Sequence, residues 1–483
     1  MISTLYPHQE LALEMLKNSL RAGHRRPMLQ ASVGFGKTKL AAAIVEGALK
    51  KSRRVIFCVP ALSLIDQTVA SFWAEGIRDI SVIQGDHEMT NWARPVQVCT
   101  VQTLARRNIP DGDFVLLDEA HELPEFVKSW MKMPVWDRKP FIGLSATPWT
   151  KGLGNYFDDL LIAATTKELI ASGYLTPFKV YAPSHPDLTG VRTVGEDYNE
   201  GDLAKVFNKN HLVADIVESW LQLGESRSTL CYGVDRAHAK MLEQQFLARG
   251  VRTAYIDAYT DREQRGEIGE RFHSGDVKVV VNIGTLIQGV DWDVRCIILA
   301  RSTKSEKVLT QIIGRGLRTA EGKEDLIVID HGDSHLNLGF VTDIHHETLD
   351  NGKEAKKSFK KAPEKLPKEC TSCHFLKPVG VHVCSSCGFA PVQQSQVKID
   401  DGELVEFDAA KQRADKATKQ RWMSMFRGYA FERGKSEKWV LAQYKQKFGV
   451  WPRGLDDSIL TPDAAVYGWV KSRMIAYAKR RAA

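Results

Sequence analysis

The sequence predicts an α/β chain: two tandem P-loop-type domains on parallel sheets, followed by a small zinc ribbon and a helical C-terminal module. Three observations predict it. Short β-rich runs alternate with helix-length amphipathic stretches over residues 1–350. A glycine-rich loop ending in Lys37-Thr38 follows the first of those runs, and two CxxC pairs stand behind the last of them.

With 483 residues the chain is too long for one compact core. A hydrophobic content of 43% and a charged content of 26% are those of an ordinary globular protein. No apolar stretch approaches the ~20 residues that span a bilayer, so a membrane partner is not expected. The start, Met1 to Pro7, lacks a basic region followed by an apolar run, and a cytoplasmic location is the expectation.

The runs 54–59, 114–117 and 141–144 read as buried parallel strands of a first domain, residues 1–165. The runs 229–232, 277–281, 296–299 and 326–329 read as those of a second, residues 166–345. The stretch 183–205, rich in proline, glycine and charge, reads as an inter-domain connection. Residues 346–369 are polar and lysine-rich and read as a linker. A ribbon at 370–390 and a basic helical module at 400–483 complete the order. There, Thr461-Pro462-Asp463 predicts a helix start, and Lys479-Arg480-Arg481 suits the helix's far end.

Charge is distributed unevenly. Residues 1–352 carry a net −5, 353–369 a net +4, 370–410 a net −3 and 411–483 a net +11. The basic balance that suits nucleic acid therefore lies in the tail. Cys58, Cys99, Cys231 and Cys296 stand singly in apolar runs and read as small buried hydrophobes.

The loop Ala31-Ser32-Val33-Gly34-Phe35-Gly36-Lys37-Thr38 has the spacing phosphate binding requires. Gly34 and Gly36 let backbone N–H groups face the β- and γ-phosphates of ATP at a helix N-terminus. Lys37 brings charge to the terminal phosphates, and the Thr38 hydroxyl is placed for Mg²⁺. The run 114–117 ends in Asp118-Glu119-Ala120-His121. An acidic pair at a strand's C-terminal end can hold Mg²⁺ through Asp118 and activate water through Glu119.

Taken with Ser145-Ala146-Thr147-Pro148 and Gln311-Ile312-Ile313-Gly314-Arg315-Gly316-Leu317-Arg318, these residues resemble the superfamily 2 helicases of DEAH-box type. The resemblance covers roughly the first 345 residues. It implies two RecA-like domains, with Tyr6-Pro7-His8-Gln9 as the adenine-reading element and Gln9 as the base contact. It implies nucleic-acid contacts at Pro60, Gln67, Thr100, Gln102, Thr103 and Thr285, and a coupling element through Gly289 and Asp291 toward the nucleotide. His121, Ser145, Thr147 and Gln311 would link hydrolysis to the strand-binding face. Gly173-Tyr174-Leu175-Thr176-Pro177 and the cysteine segment further resemble bacterial DNA-repair helicases of the RadD type and related phage helicases. Arg315 and Arg318 stand three apart, the spacing of one helix face, and could both reach the γ-phosphate from outside the P-loop domain.

Cys370-x2-Cys373 and Cys384-x2-Cys387 form a tetrathiolate pattern for Zn²⁺, with free thiols and an iron–sulfur cluster as the alternatives. Contact with nucleic acid and simple stapling of the tail are both open for this ribbon. In the tail, Trp422, Phe426 and Tyr429 follow helical spacing, which favours core packing over base stacking. Its lysines and arginines are then left to bind phosphate. The expectation is an ATP-dependent DNA helicase or translocase acting on branched DNA. An RNA helicase and an ATP-switched recognition subunit without unwinding are the alternatives. A protein partner, if there is one, is expected at the C-terminal module.

Overall fold

The computed structural model describes residues 3–208, 210–286, 292–352, 366–391 and 416–481. They fall in two compact units, Met1–Val392 and Gln393–Ala483, each described by itself.

The first unit holds two parallel sheets. The first sheet comprises β1 (Pro27–Gln30), β2 (Val55–Val59), β3 (Ile80–Ile83), β4 (Val96–Thr100), β5 (Phe114–Asp118), β6 (Phe141–Ser145) and β7 (Asp159–Ile162). Its order is β3-β4-β2-β5-β6-β1-β7, every pairing parallel. Strands covered by helices on both faces need apolar side chains on both, and β2, Val-Ile-Phe-Cys-Val, is buried throughout. Cys58 of β2 and Cys99 of β4 lie side by side, Sγ to Sγ 3.8 Å, packed as hydrophobes.

The second sheet begins with β8 (Phe178–Tyr181). A hairpin of β9 (Thr193–Val194) and β10 (Asp197–Tyr198) follows, and then β11 (Thr229–Tyr232), β12 (Thr253–Ile256), β13 (Val279–Asn282), β14 (Cys296–Leu299) and β15 (Leu326–Asp330). The order is β12-β13-β11-β14-β15-β8, again all parallel. Because β8 belongs to this sheet, the stretch 183–205 does not join the two sheets, as its composition suggested. It is an excursion within the second, whose helix Glu200–Phe207 packs Leu203, Ala204 and Phe207 around Val234. The crossing between sheets runs through 163–177.

The expected linker is likewise only part linker. His346 pairs with Glu306 at 2.7 Å and lies tilted against Trp149, ring centroids 5.0 Å apart. The N–H groups of Gly152 and Gly154 donate to the Asp350 side chain (3.0 Å) and carbonyl (2.6 Å). Residues 346–352 thus strap the second sheet's helix to the first sheet's loop. The rest of that stretch, 353–365, lies outside the described residues.

Two buried histidines make the second sheet acid-sensitive. His238 and His331 are almost fully enclosed, and burial pushes both down to about 4. Unfolded, they titrate near 6.5, so below that pH the unfolded chain binds more protons than the folded one. Their stabilising contribution is complete above ~6.5 and is lost as pH falls toward 4, by about 1.4 kcal/mol per pH unit for each. Urea unfolding between pH 7 and 4 is expected to show this slope, and His331→Gln to reduce it.

In the second unit, the helices Lys416–Glu432, Glu437–Phe448 and Ala464–Arg481 enclose Phe426, Val440, Tyr444, Val466 and Val470. Phe426 is fully buried with Trp422 and Tyr429 packed beside it, which is the core arrangement their spacing predicts. The last helix starts later than the Thr461 cap expected. The Asp463 carboxylate accepts from the N–H groups of Ala465 (3.0 Å) and Val466 (3.1 Å), and an acidic cap suits the helix dipole. The side chains of Lys479 to Arg481, expected at its far end, lie outside the described residues. Among the described residues no helix is long and apolar enough to cross a membrane.

Candidate nucleotide cleft and metal centre

The loop between β1 and the helix Lys37–Leu49 turns through two left-handed glycines, Gly34 and Gly36, each at φ +83°. Neither has room for a Cβ: at Gly34 it would run into Leu175, at Gly36 into the Gln9 amide. Around this loop opens a cleft of about 640 Å³. The first sheet contributes Lys37, Thr38, Asp118 and Glu119, and the second Gln311, Arg315 and Arg318. Residues from both sheets therefore meet in one cavity.

Asp118 ends β5 and Glu119 follows at φ +48°, a strained left-handed turn for a non-glycine residue. The Glu119 N–H donates to Asp118 at 2.9 Å, and Lys37 forms an ion pair with the Glu119 carboxylate. Burial works against the Glu119 charge. Lys37 and His121 outweigh it and hold the carboxyl below the usual range. Asp118 goes the other way: burial, with Glu119 adding to it, raises its pKa despite Lys37. Lys37 is itself raised, because the two carboxylates outweigh its burial.

His121 is the junction between the sheets. Its Nδ1 lies 2.9 Å from Ser145 Oγ and 3.2 Å from Glu119, and its Nε2 lies 3.4 Å from Gln311 Nε2. Ser145 Oγ also accepts the Thr147 N–H at 3.0 Å, while the buried Thr147 hydroxyl has no partner among the described residues. Gln311 lies on the helix Glu306–Gly316, which approaches the P-loop so closely that a Cβ on Gly314 would penetrate Val33.

Other expected residues fall differently. The helix ends at Gly316, so Arg315 and Arg318 do not share a helix face. Arg318 is instead held extended, bridged to Leu175, and Lys323 donates to the carbonyls of Gly316 (2.6 Å) and Arg318 (2.7 Å). Both arginines still line the cleft. So do Pro60 and Gln67, which the resemblance put on the nucleic-acid side. Thr100 is fully buried and caps the short helix Val101–Leu104, accepting the Thr103 N–H at 3.2 Å, while Gln102 is exposed. The Thr285 hydroxyl is buried and has no partner among the described residues. Gly289 and Asp291 lie outside the described residues.

Gln9 is buried behind the loop and is absent from the cleft wall, whereas Tyr6, His8 and Tyr174 form part of it. The Tyr174 ring stands 4.9 Å from Tyr6 and 4.6 Å from His8. On the sequence His8 stands only within the adenine-reading segment and Tyr174 only within the stretch 173–177, neither as a site residue of its own. Aromatic residues near a P-loop carry no spacing rule, and the box forms only when the crossing segment returns to the loop.

At the ribbon, the antiparallel β16 (Lys368–Glu369) and β17 (Leu376–Lys377) carry the first cysteine pair. Two equivalent turns present the thiols: the His374 N–H donates to the Cys370 carbonyl (2.9 Å), and the Gly388 N–H to the Cys384 carbonyl (2.8 Å). Cys370 and Cys387 lie 3.7 Å apart at sulfur, Cys373 and Cys384 3.6 Å, and all four sulfurs fall within 4.8 Å of one another. A tetrahedron with Zn–S bonds of ~2.3 Å has edges of roughly 3.8 Å. The cluster fits a zinc ribbon.

Two P-loop-type parallel sheets facing one acidic and basic cleft define the tandem RecA-like class. Residues 2–150 match the family described as type III restriction enzyme, res subunit, and residues 209–320 the helicase conserved C-terminal domain. The chain belongs to the superfamily 2 helicases. It is similar to IRC3 of Saccharomyces cerevisiae, described as a candidate ATP-dependent helicase: 27% identical, over 68% of this chain and 51% of that protein. A 51.5 kDa protein of a Lactococcus phage is 24% identical over 75% of this chain and 77% of its own length. Among solved structures, a fragment of a candidate HsdR subunit of a type I restriction enzyme from Vibrio vulnificus shares the fold. Its TM-score is 0.51 and its identity 20%, covering 67% of this chain and 63% of that one. The chain spans about half the length of IRC3.

Proposed function

We propose that the chain is an ATP-dependent helicase or translocase acting on DNA, with branched DNA its target. One observation carries this: a single cleft gathers Lys37, Thr38, Asp118 and Glu119 from one sheet and Gln311, Arg315 and Arg318 from the other. A site divided between two bodies changes when they move, which lets hydrolysis drive motion and motion gate hydrolysis.

The residues take the following roles. With the cleft open, Lys37 is held by Glu119; incoming phosphates claim Lys37 and leave Glu119 to orient and deprotonate the attacking water. In the nucleotide-free cleft Lys37 and His121 hold Glu119 ionised but weaken it as a base; losing Lys37 to the phosphates restores its basicity. Thr38 and Asp118 offer a hydroxyl and a carboxylate, the hard oxygen donors Mg²⁺ takes, and the ion would supply charge neutralisation on the phosphates. Arg315 and Arg318 stabilise charge on the transferred group. His121, touching Glu119, Ser145 and Gln311, carries the state of the hydrolytic site to both sheets.

The preference for DNA is supported by the names of other relatives. These include the EcoKI endonuclease subunit of Escherichia coli, a type I restriction enzyme, and UvrABC system protein B of Thermotoga maritima. The basic module at 411–483 supplies further phosphate contacts. ATP turnover measured with single-stranded DNA, duplex, forked DNA and RNA tests the proposal. Stimulation is expected with DNA and greatest with forks. Stimulation by RNA alone would make the chain an RNA helicase, and none by any nucleic acid would make it an ATP switch.

We further propose that Cys370, Cys373, Cys384 and Cys387 hold structural zinc. One equivalent of zinc per chain is expected, and its removal by a chelator should expose four thiols to a titrating reagent. The buried Cys58, Cys99, Cys231 and Cys296 should stay unreactive until the sheets unfold.

A further inference from the structure

We infer that Lys323 is a positioning residue: by holding the backbone of Arg318 it fixes the angle from which that arginine's guanidinium enters the cleft. The inference rests on the proposed reading of the cleft as a hydrolytic site and adds a residue that serves it from outside.

The need arises where the helix Glu306–Gly316 stops. Its last carbonyls have no N–H partners within the helix, and the common remedy is a left-handed glycine just past the cap. Here the cap is Leu317, at φ −80°, and the place past it belongs to Arg318. Arg318 instead runs beside Leu175 in an antiparallel bridge, so the helix end needs a donor from elsewhere.

Lys323 supplies it. Its Nζ lies 2.6 Å from the Gly316 carbonyl and 2.7 Å from that of Arg318, so one ammonium joins the helix end to the residue that carries the guanidinium. The Arg318 carbonyl also accepts from Thr176 Oγ1 at 3.2 Å, and the Leu317 carbonyl accepts the Thr176 N–H at 2.8 Å. With its backbone held by two donors from separate segments, Arg318 has only its side-chain torsions left to place the guanidinium.

The lysine is itself presented by a fixed turn. Its N–H donates to the Ala320 carbonyl at 3.2 Å, closing a turn through Gly322, whose φ of +65° suits glycine. Arg295, just before β14, grips that turn: its guanidinium donates to the carbonyls of Glu321 (2.6 Å) and Gly322 (2.9 Å). The reach of Lys323 is therefore set from the sheet.

A cation in this place has a cost. Burial pushes the Lys323 pKa down to about 8; Asp293 opposes this, while Arg295, Arg227 and Arg318 add to it. Its hydrogen-bond partners are carbonyls rather than carboxylates. What the charge gains is a strong bond to carbonyls at a helix C-terminus, where the helix dipole favours a cation. That gain depends on the path of residues 316–318, which is the path that aims Arg318.

The test is a double-mutant cycle on the full chain, with ATP turnover, nucleotide binding and unfolding temperature measured for each variant. Lys323→Met, which keeps the length without a donor, is expected to lower kcat by roughly 10- to 100-fold, the scale of a misplaced reacting group, and to leave ATP affinity unchanged. Lys323→Arg, able to reach both carbonyls, should recover most of the loss. In the Arg318→Ala background Lys323→Met should lower kcat by less than about twofold more, because no guanidinium is left to misplace. Equal losses in both backgrounds would make Lys323 a support of the fold as a whole and overturn the inference, as would wild-type kcat in Lys323→Met. If Lys323→Met does not fold, Lys323→Gln, which has donors but not the reach to span both carbonyls, enters the same cycle. An arginine-specific protease reads the brace without turnover. Cleavage after Arg318 should be faster in Lys323→Met than in the wild type, and equal rates would also overturn the inference. Faster cleavage combined with wild-type turnover in Arg318→Ala would remove the proposed role of Arg318 and leave the brace standing.

Discussion

Replacing Arg318 with alanine is expected to lower kcat for ATP by about 10³-fold, the scale of an arginine supplied to a transferring phosphoryl group, while ATP binding changes little. The backbone around Arg318 makes this a clean experiment. Its carbonyl is held by Thr176 Oγ1 (3.2 Å) and Lys323 Nζ (2.7 Å), and its chain is bridged to Leu175. None of those bonds uses the guanidinium, so they persist in the alanine variant. Steady-state turnover and nucleotide binding, measured side by side, separate loss of transition-state stabilisation from loss of grip. A variant with reduced binding and unchanged kcat would place Arg318 in ground-state binding instead.

Glu119→Gln is expected to lower kcat by roughly 10²–10⁴-fold, the contribution of a positioned general base. It also makes a second, opposite-signed prediction. In the nucleotide-free protein Glu119 partners the buried Lys37, and a neutral glutamine leaves that ammonium facing Asp118 alone. Stability without nucleotide should therefore fall, by up to about 3 kcal/mol. ATP phosphates replace the missing partner, so nucleotide should raise the variant's unfolding temperature more than the wild type's. Hydrolysis lost without that change in ligand stabilisation would mean that the Lys37–Glu119 pair is not exchanged on binding.

What could be read from residues alone divides along physical lines. The phosphate loop, the acidic pair and the four cysteines were legible because the chemistry dictates residue type and spacing together. The strands β2, β5, β6, β11, β13, β14 and β15 were legible because burial on two faces forces continuous apolar runs, as in β2, whereas β3, β4, β7 and β12 were not read. The edge strand β8, Phe-Lys-Val-Tyr, carries a lysine and pairs with one strand of the sheet, so its run is too weak to show which sheet owns it. That left 183–205 misplaced. Arg318 was set on a helix by spacing, but the helix ends at Gly316, where the missing Cβ lets Leu326 and Ile297 close in. Thr100 has the composition of a phosphate contact, yet local geometry makes it a cap. His8 was read only as part of the segment 6–9, because its contact with the Phe35 carbonyl exists only after the loop has folded back on the first helix, Pro7–Arg21.

The same logic explains why the nucleotide side of the protein is better defined than its nucleic-acid side. Phosphate chemistry requires a few groups within a few ångströms. A nucleic-acid backbone can be held by any well-placed donor, and the largest excess of positive charge, +11 over residues 411–483, belongs to the separate C-terminal unit.

The central claim is that two bodies complete one hydrolytic site. It is tested most directly by the affinity of ADP with aluminium fluoride, which mimics the transferring phosphoryl group, relative to ADP alone. The wild-type chain should bind the complex at least 10²-fold more tightly than ADP, as transition-state analogues do, and Arg318→Ala should lose most of that advantage. An advantage retained in full by Arg318→Ala would show that the second sheet's Arg318 does not reach the phosphoryl group, and would contradict the shared site.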